Sequence, residues 1–220
     1  MKFNYTSIWG FEHAIRGMRN PLESWAKSDS ELYENDLDSI IGENDLDLMQ
    51  RLIKGGSEHR KFMRQIMVSV DITAPLYWWK EFDTYKVGIT ANSTSTMHKL
   101  ASTPITKECF EMDDYEGGLL MYEREPYDLD AFTDDMWDNI INYCETLRKG
   151  YLETKDKRYW KELIRILPES WLQTRTVTMN YENLYSIVHQ RGLHKLSEWH
   201  TFIDWVRTLP YANELIFCEN

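Results

Sequence analysis

The alternation of apolar and polar residues over Lys2–Trp9 predicts a short strand. Gly10 then opens a helix whose apolar side is Phe11, Ala14, Ile15 and Met18, and Asn20-Pro21 stops it. Ser28-Asp29-Ser30 reads as a helix N-cap cluster with Glu31 in the first turn, followed by an acidic region to Lys54 with an apolar face. Gly55-Gly56 ends that region. Ser57 to Val70 reads as a strand or a helix with a buried far end, and Ala74–Phe82, with Trp78 and Trp79, has a helical pattern.

The chain from Thr103 to Pro126 reads as irregular, with turns at Asp113-Asp114 and Gly117-Gly118. Asp128 to Leu152 carries Phe132, Met136, Trp137, Ile140, Ile141, Cys144 and Leu147 at helical spacing. A second helix is expected from Asp156 to Ile166, halted by Leu167-Pro168. Leu172–Met179 alternates and is rich in Thr, a strand pattern. Helices follow over Tyr181–Arg191 and Lys195–Leu209. Mixed helix and strand, with helix in the majority, is therefore the expected class.

Composition narrows the picture. A chain of 220 residues with 9 Trp, 13 Tyr and 8 Phe can bury one large core, so residues 1–220 are expected to form a single domain. Net charge −11 argues against a nucleic-acid backbone as partner, but leaves room for a small anion held by two or three local cations. Three widely spaced cysteines outside any CxxC motif argue against a disulfide framework or a zinc knuckle. A basic leader and an apolar run of membrane length are both missing from the sequence, so a soluble cytoplasmic protein with no membrane partner is expected.

Several candidates for chemistry have plain structural alternatives. Glu34-Asn-Asp-Leu-Asp38 recurs as Glu43-Asn-Asp-Leu-Asp47, but Ile40 stands where a calcium loop needs an oxygen, which leaves two solvated helix starts. Trp78 and Trp79 fit a core or subunit interface better than a base-stacking platform. His189, His194 and His200 do not share a helical face, and HExxH, GxSxG and Walker motifs are absent, so no metal is expected. Arg165, Arg175 and Arg191 are the cations that could meet an anion, or else surface charges near helix ends. The run Asn92-Ser-Thr-Ser-Thr96 concentrates hydroxyl and amide groups suited to phosphate oxygens.

The last third adds a resemblance. Arg165-Ile-Leu-Pro168, a Thr-rich strand, Asn180, Leu184, Arg191 eleven residues after Asn180, and then Lys195-Leu-Ser-Glu-Trp199 resemble the C-terminal half of the flavin-dependent thymidylate synthases. Ser57-Glu58-His59 is similar to that family's Leu-Glu-His, and Asn92-Ser-Thr-Ser95 to the Asn-Glu-x-Ser end of its signature. The Arg-His-Arg half has no counterpart: its place holds Tyr85-Lys86-Val87 or Phe82-Asp83-Thr84. Leu196-Ser197 stands where the family has Ala-Gln, and Met97 or His98 where it has a basic residue.

The resemblance implies an α+β fold, a small, mostly antiparallel sheet flanked by several helices, in a homotetramer with sites between subunits. It implies FAD as cofactor, NADPH as reductant and methylenetetrahydrofolate as one-carbon donor in a methyltransferase that converts dUMP to dTMP. Ser95 and Thr96, with Lys99, would hold the nucleotide phosphate. Arg165 would be a second nucleotide-contacting cation, and Arg191 would meet the pyrimidine as the catalytic residue. His59, Asn92, Asn180 and Lys86 would lie on the flavin side, with Lys86, His98 and Lys99 replacing missing arginine charge. The loss of Arg-His-Arg equally fits a catalytically degenerate relative acting as a nucleotide-binding or protein-interaction scaffold.

Overall fold

A computed structural model of the chain describes residues 1–33, 39–113 and 129–218, with the backbone alone for 129–135. The first Glu-Asn-Asp-Leu-Asp copy, the Gly117-Gly118 turn, the start of the helix at Asp128 and the Phe132 side chain lie outside the described residues. In chain order the elements are β1 (Lys2–Trp9), α1 (Phe11–Arg19), α2 (Glu43–Lys54), β2 (Met67–Pro75), α3 (Leu76–Phe82), β3 (Thr90–Ser93) and the single turn α4 (Thr96–Lys99). Then come α5 (Leu129–Thr154), α6 (Lys157–Ile166), β4 (Leu172–Asn180), α7 (Tyr181–Arg191), α8 (Ser197–Arg207) and the short α9 (Ala212–Leu215). The four strands make one antiparallel sheet in the order β1-β2-β4-β3, so the α+β expectation holds.

The described chain divides into two compact units. The first comprises Met1–Thr73, Phe82–Asn92 and Arg175–Asn220. Here β2 alternates strictly, burying Val68, Val70 and Ile72 and leaving Met67, Ser69, Asp71 and Thr73 partly exposed, as a period of two requires. β1 runs antiparallel to it, from Lys2 opposite Thr73 to Trp9 opposite Met67, with a register shift between Asn4 and Ser7. Polar side chains bridge β2 to β4: Ser69 and Thr178 hydroxyls lie 3.2 Å apart, and Thr176 Oγ1 donates to Asp71 at 2.5 Å. Around the sheet Phe11, Met49, Ile53, Met63, Ile66, Tyr181, Leu184, Trp199 and Phe202 are fully or nearly fully buried. Gly10 sits at φ +103, and a Cβ there would stand 2.1 Å from the Gln65 carbonyl oxygen; the close approach of two backbones requires glycine.

One expectation in this unit is overturned. Ser28-Asp29-Ser30 caps no helix at Glu31, which instead bridges to Ile40 in extended pairing. The Asp29 carboxylate caps α2, accepting from Asn44 N at 3.0 Å and Asp45 N at 3.2 Å. Ser28 and Ser30 hydroxyls each donate to Asp45 Oδ2 at 2.7 Å, the Asp29 amide donates to it at 3.1 Å, and Arg19 Nε donates to Oδ1 at 2.6 Å. Asp45 is thus fully buried rather than solvated. Burial pushes its carboxyl up, but the hydrogen bonds from Ser30, Ser28, Arg19 and the Asp29 amide outweigh it and hold the group below the usual aspartate value.

The second unit comprises Ala74–Glu81 and Ser93–Thr174. Its core is Leu100, Ile105, Phe110, Ile141, Cys144, Leu147 and Leu163, flanked by Trp137 and Trp171. Burial pushes the Cys144 thiol up to about 11. Trp78 and Trp79 are completely buried within the chain, the core reading of the pair, and Trp79 Nε1 donates to the Gln173 carbonyl at 3.0 Å. Asp156 caps α6 by accepting from Arg158 N at 2.9 Å. Among the described residues no helix is long and apolar enough to cross a membrane.

Candidate functional site

A cluster of polar groups lines a cavity of the first unit at the start of α7. Asn180 ends β4 in extended conformation and caps the helix: its Oδ1 accepts from Asn183 N at 3.0 Å, while Asn183 Oδ1 accepts from Asn180 N at 3.1 Å. Asn183 Nδ2 reaches further and donates to the Val87 carbonyl at 2.8 Å, tying the loop before β3 to the helix. Gly88 follows at φ +76, where an added Cβ would lie 3.3 Å from both Asn180 Nδ2 and Asn183 Oδ1. The left-handed turn and the tight approach both favour glycine there.

Glu182, in the first turn of α7, is nearly buried and sits where the helix dipole favours a carboxylate. Two arginines from the 3-10 segment Arg60–Gln65 converge on it. Arg60 Nε donates to Oε1 at 3.4 Å; Arg64 uses both prongs, Nε to Oε2 and Nη2 to Oε1, the latter at 3.4 Å. The Arg60 guanidinium also stacks 4.3 Å from the Tyr185 ring centroid, one turn along α7.

These groups wall a cavity of about 510 Å³ lined by Arg64, the loop from Thr84 to Gly88, Asn180, Glu182, Asn183 and Ser186. A second hollow of about 320 Å³ shares Tyr85 and Lys86 with it and adds Phe82, Asp83, Ile89 and Ala91. Asp83 is engaged there by Arg175 Nη1 at 2.7 Å. The shared wall, Tyr85, accepts a hydrogen bond from Arg191 Nε at 2.8 Å. The Arg191 guanidinium lies 4.8 Å from the Trp199 centroid and 5.5 Å from that of Tyr85, so the end of α7 and the start of α8 hold it between two rings.

The structure brings some of the sequence candidates together. Lys86 and Asn180 line the same cavity, and Arg191 is bonded to the tyrosine of its wall. His59 lies exposed in the turn before Arg60, its ring 3.2 Å from where a Cβ on Gly55 would stand, and Asn92 lies exposed on β3; neither is in that lining. Ser95, Thr96, Lys99 and Arg165 belong to the second unit. There the Ser95 hydroxyl caps α4 by accepting from His98 N at 3.2 Å, Thr96 is half-buried and Lys99 is exposed. Thr94 pins this stretch to β4, its amide donating to the Thr174 carbonyl at 2.9 Å and its carbonyl accepting from Gln173 Nε2 at 2.9 Å. Arg165 pairs with Glu162 at 2.9 Å and lines another hollow, of about 680 Å³, whose lining includes none of Ser95, Thr96 and Lys99.

Sequence reasoning missed Arg64, Thr84, Glu182, Asn183 and Ser186. Two signals were open to it: Asn180-x-x-Asn183 is a capping pair, which would place Glu182 in a first turn, and Arg60 and Arg64 stand four apart. Nothing in the sequence joins Arg64 to Glu182, 118 positions away.

No family model matches the chain, and no curated protein matches it. Solved structures do match. The flavin-dependent thymidylate synthase ThyX from Helicobacter pylori, complexed with FAD and dUMP, is 15% identical, covers 98% of each chain and superposes with a TM-score of 0.64. A second structure of ThyX from Helicobacter pylori with FAD and dUMP is 16% identical over 98% of this chain and 97% of that one, with a TM-score of 0.68. At such identity the likeness is one of fold, carried through the whole chain.

Proposed function

We propose that this chain binds a pyrimidine nucleotide of the dUMP kind and FAD, and that it transfers a one-carbon group to the pyrimidine C5 as a flavin-dependent thymidylate synthase does. The observation that carries the reading is the cavity of about 510 Å³ at the start of α7, in a fold similar over 98% of its length to enzymes solved with FAD and dUMP. Its residues suit such ligands. Lys86 and Arg64 offer positive charge, Asn180 keeps its two Nδ2 hydrogens after Oδ1 has capped α7, and Gly88 lets a ligand approach the backbone.

In this reading Asn180 and Lys86 face the flavin, with His59 and Asn92 nearby, while Ser95, Thr96, Lys99 and Arg165 serve the nucleotide. Arg191 acts on the pyrimidine, where a guanidinium steadies the carbonyl that gathers negative charge. Tyr85 and Trp199 restrict that guanidinium to one orientation, so less freedom is lost when it meets the ring. FAD, when bound, supplies the hydride chemistry, with NADPH as the source of the hydride and methylenetetrahydrofolate of the carbon. The oligomer proposed is a homotetramer.

The test is a titration of the purified chain with FAD, followed by flavin absorbance, and with dUMP, followed by calorimetry. Binding of both, with dUMP-dependent oxidation of the reduced flavin, supports the proposal; a chain that takes up neither ligand sinks it. A second reading is a scaffold that binds the nucleotide without turnover. It is favoured by the loop Thr84–Gly88, which offers Lys86 as its only cation where the family signature has two arginines. Binding of dUMP without formation of dTMP, when NADPH and methylenetetrahydrofolate are supplied, would select it.

A further inference from the structure

Cationic side chains meet in the cavity wall at a place that the sequence did not mark. Two guanidiniums, Arg60 and Arg64, pair with the carboxylate of Glu182, Glu58 acts on Arg64 from further off, and Lys86 lines the same cavity. The two arginines are not equivalent. Arg60 is 16% exposed and stacked on Tyr185, whereas Arg64 is 55% exposed and stands in the cavity wall. Glu182, only 12% exposed, grips Arg64 by Nε and Nη2, which turns the Nη1 edge away from the carboxylate.

We propose that Arg64, held by Glu182, is the residue that takes a phosphate group in this cavity, and that the ligand class there is a nucleotide phosphate or diphosphate. A guanidinium fixed along one edge presents the other as a planar pair of donors, the geometry that phosphate oxygens accept. Lys86 supplies a point charge, and Ser186 and Asn180 supply neutral donors around the same space. The cavity also lies at the positive end of the α7 dipole, which adds to the attraction for an anion. Arg64 thereby provides at the cavity the charge that the loop before β3 lacks. The identity of the ligand rests on the reading given under Proposed function; the site itself rests on the charges and geometry.

The experiment is calorimetry on the whole chain at low ionic strength, with inorganic diphosphate as the first probe. Diphosphate is expected to bind the unaltered chain, and Arg64→Ala to weaken it by about tenfold or more, the usual consequence of losing a charge-assisted hydrogen bond. Arg64→Lys should retain part of the affinity, and it also serves if the alanine variant folds poorly. Arg51→Ala removes an exposed cation of the same unit outside the cavity and should change nothing. Failure of the unaltered chain to bind diphosphate, equal binding by Arg64→Ala, or an equal loss in Arg51→Ala would overturn the site.

FAD against riboflavin, and dUMP against deoxyuridine, then distinguish the source of the phosphate: the pair whose difference collapses in Arg64→Ala is the one the residue serves. Binding of diphosphate that depends on Arg64, in a chain that takes neither FAD nor dUMP, would end the nucleotide reading and keep the site. Binding of FAD and dUMP indifferent to Arg64 would do the reverse.

Discussion

Two arginine–carboxylate pairs in the first unit have nearly the same chemistry and opposite uses. Arg19 and Asp45 are 4% and 0% exposed, and every oxygen of Asp45 is occupied: Arg19 on one, Ser28, Ser30 and the Asp29 amide on the other. The other two nitrogens of Arg19 each donate to a carbonyl, Nη1 to Ser24 at 3.3 Å and Nη2 to Lys27 at 3.2 Å. Arg64 meets Glu182, which it shares with Arg60, at a cavity wall, and its side chain is 55% exposed. A saturated buried pair fixes the chain; a pair with one member exposed fixes a donor in place for something else. Burial, more than the identity of the residues, decides which.

Mutation can break that contrast. Asp45→Asn leaves Arg19 as a buried charge without its counter-ion and should cost roughly 3 to 5 kcal/mol, read as a lowered urea midpoint. Glu182→Gln takes the carboxylate from Arg60 and Arg64 together, but both arginines keep some access to water, so its cost should be smaller than that of Asp45→Asn, about 1 to 3 kcal/mol. Equal losses at the two sites would erase the distinction.

Acid provides the next largest test. The Asp45 carboxyl is lower in the folded chain than in the unfolded one, so its stabilisation is complete above the unfolded value of about 3.9 and is lost as the pH falls through the folded value. Glu145 in the second unit behaves alike: the hydrogen bond from Arg148, opposed by burial, brings it down to about 2. Stability measured by denaturant should therefore fall steadily as pH drops from about 4 toward 2. In Asp45→Asn the first unit should lose part of that slope.

Smaller effects sharpen the cavity side. Gly88→Ala forces a side chain into a left-handed turn already 3.3 Å from two amides, and should cost about 1 kcal/mol of stability. Tyr85→Phe removes the acceptor of the Arg191 hydrogen bond and leaves the ring; under the proposed function, a loss of about 0.5 to 1.5 kcal/mol in dUMP affinity is expected by calorimetry, with flavin affinity unchanged.

Legibility from sequence followed the range of the interaction. α7 was read with both its ends, Tyr181 and Arg191, and the local signals that fix them, a cap at Asn180 and a stop at Gly192, lie within the helix and its two neighbours. β4 and α6 came through for similar reasons. Ser28-Asp29-Ser30 was read correctly as capping chemistry and assigned to the wrong helix, since the choice between Glu31 and α2 is made by the buried contact with Arg19. At the site, Asn180 and Lys86 were found through the family resemblance, whereas Arg64 depends on a carboxylate in the last quarter of the chain. Local periodicity carries no information about such a partner.

The sheet order has a consequence in time. Since β4 lies between β2 and β3, the Ser69–Thr178 contact joins residues 109 positions apart. At about 5 to 20 residues per second, a ribosome needs roughly 5 to 20 seconds to make the intervening segment. Throughout that interval β2 can pair with β1 but not with its other neighbour, so one full edge waits open. The nascent chain is therefore most exposed to wrong strand pairing between the emergence of β2 and that of β4, which ends the period.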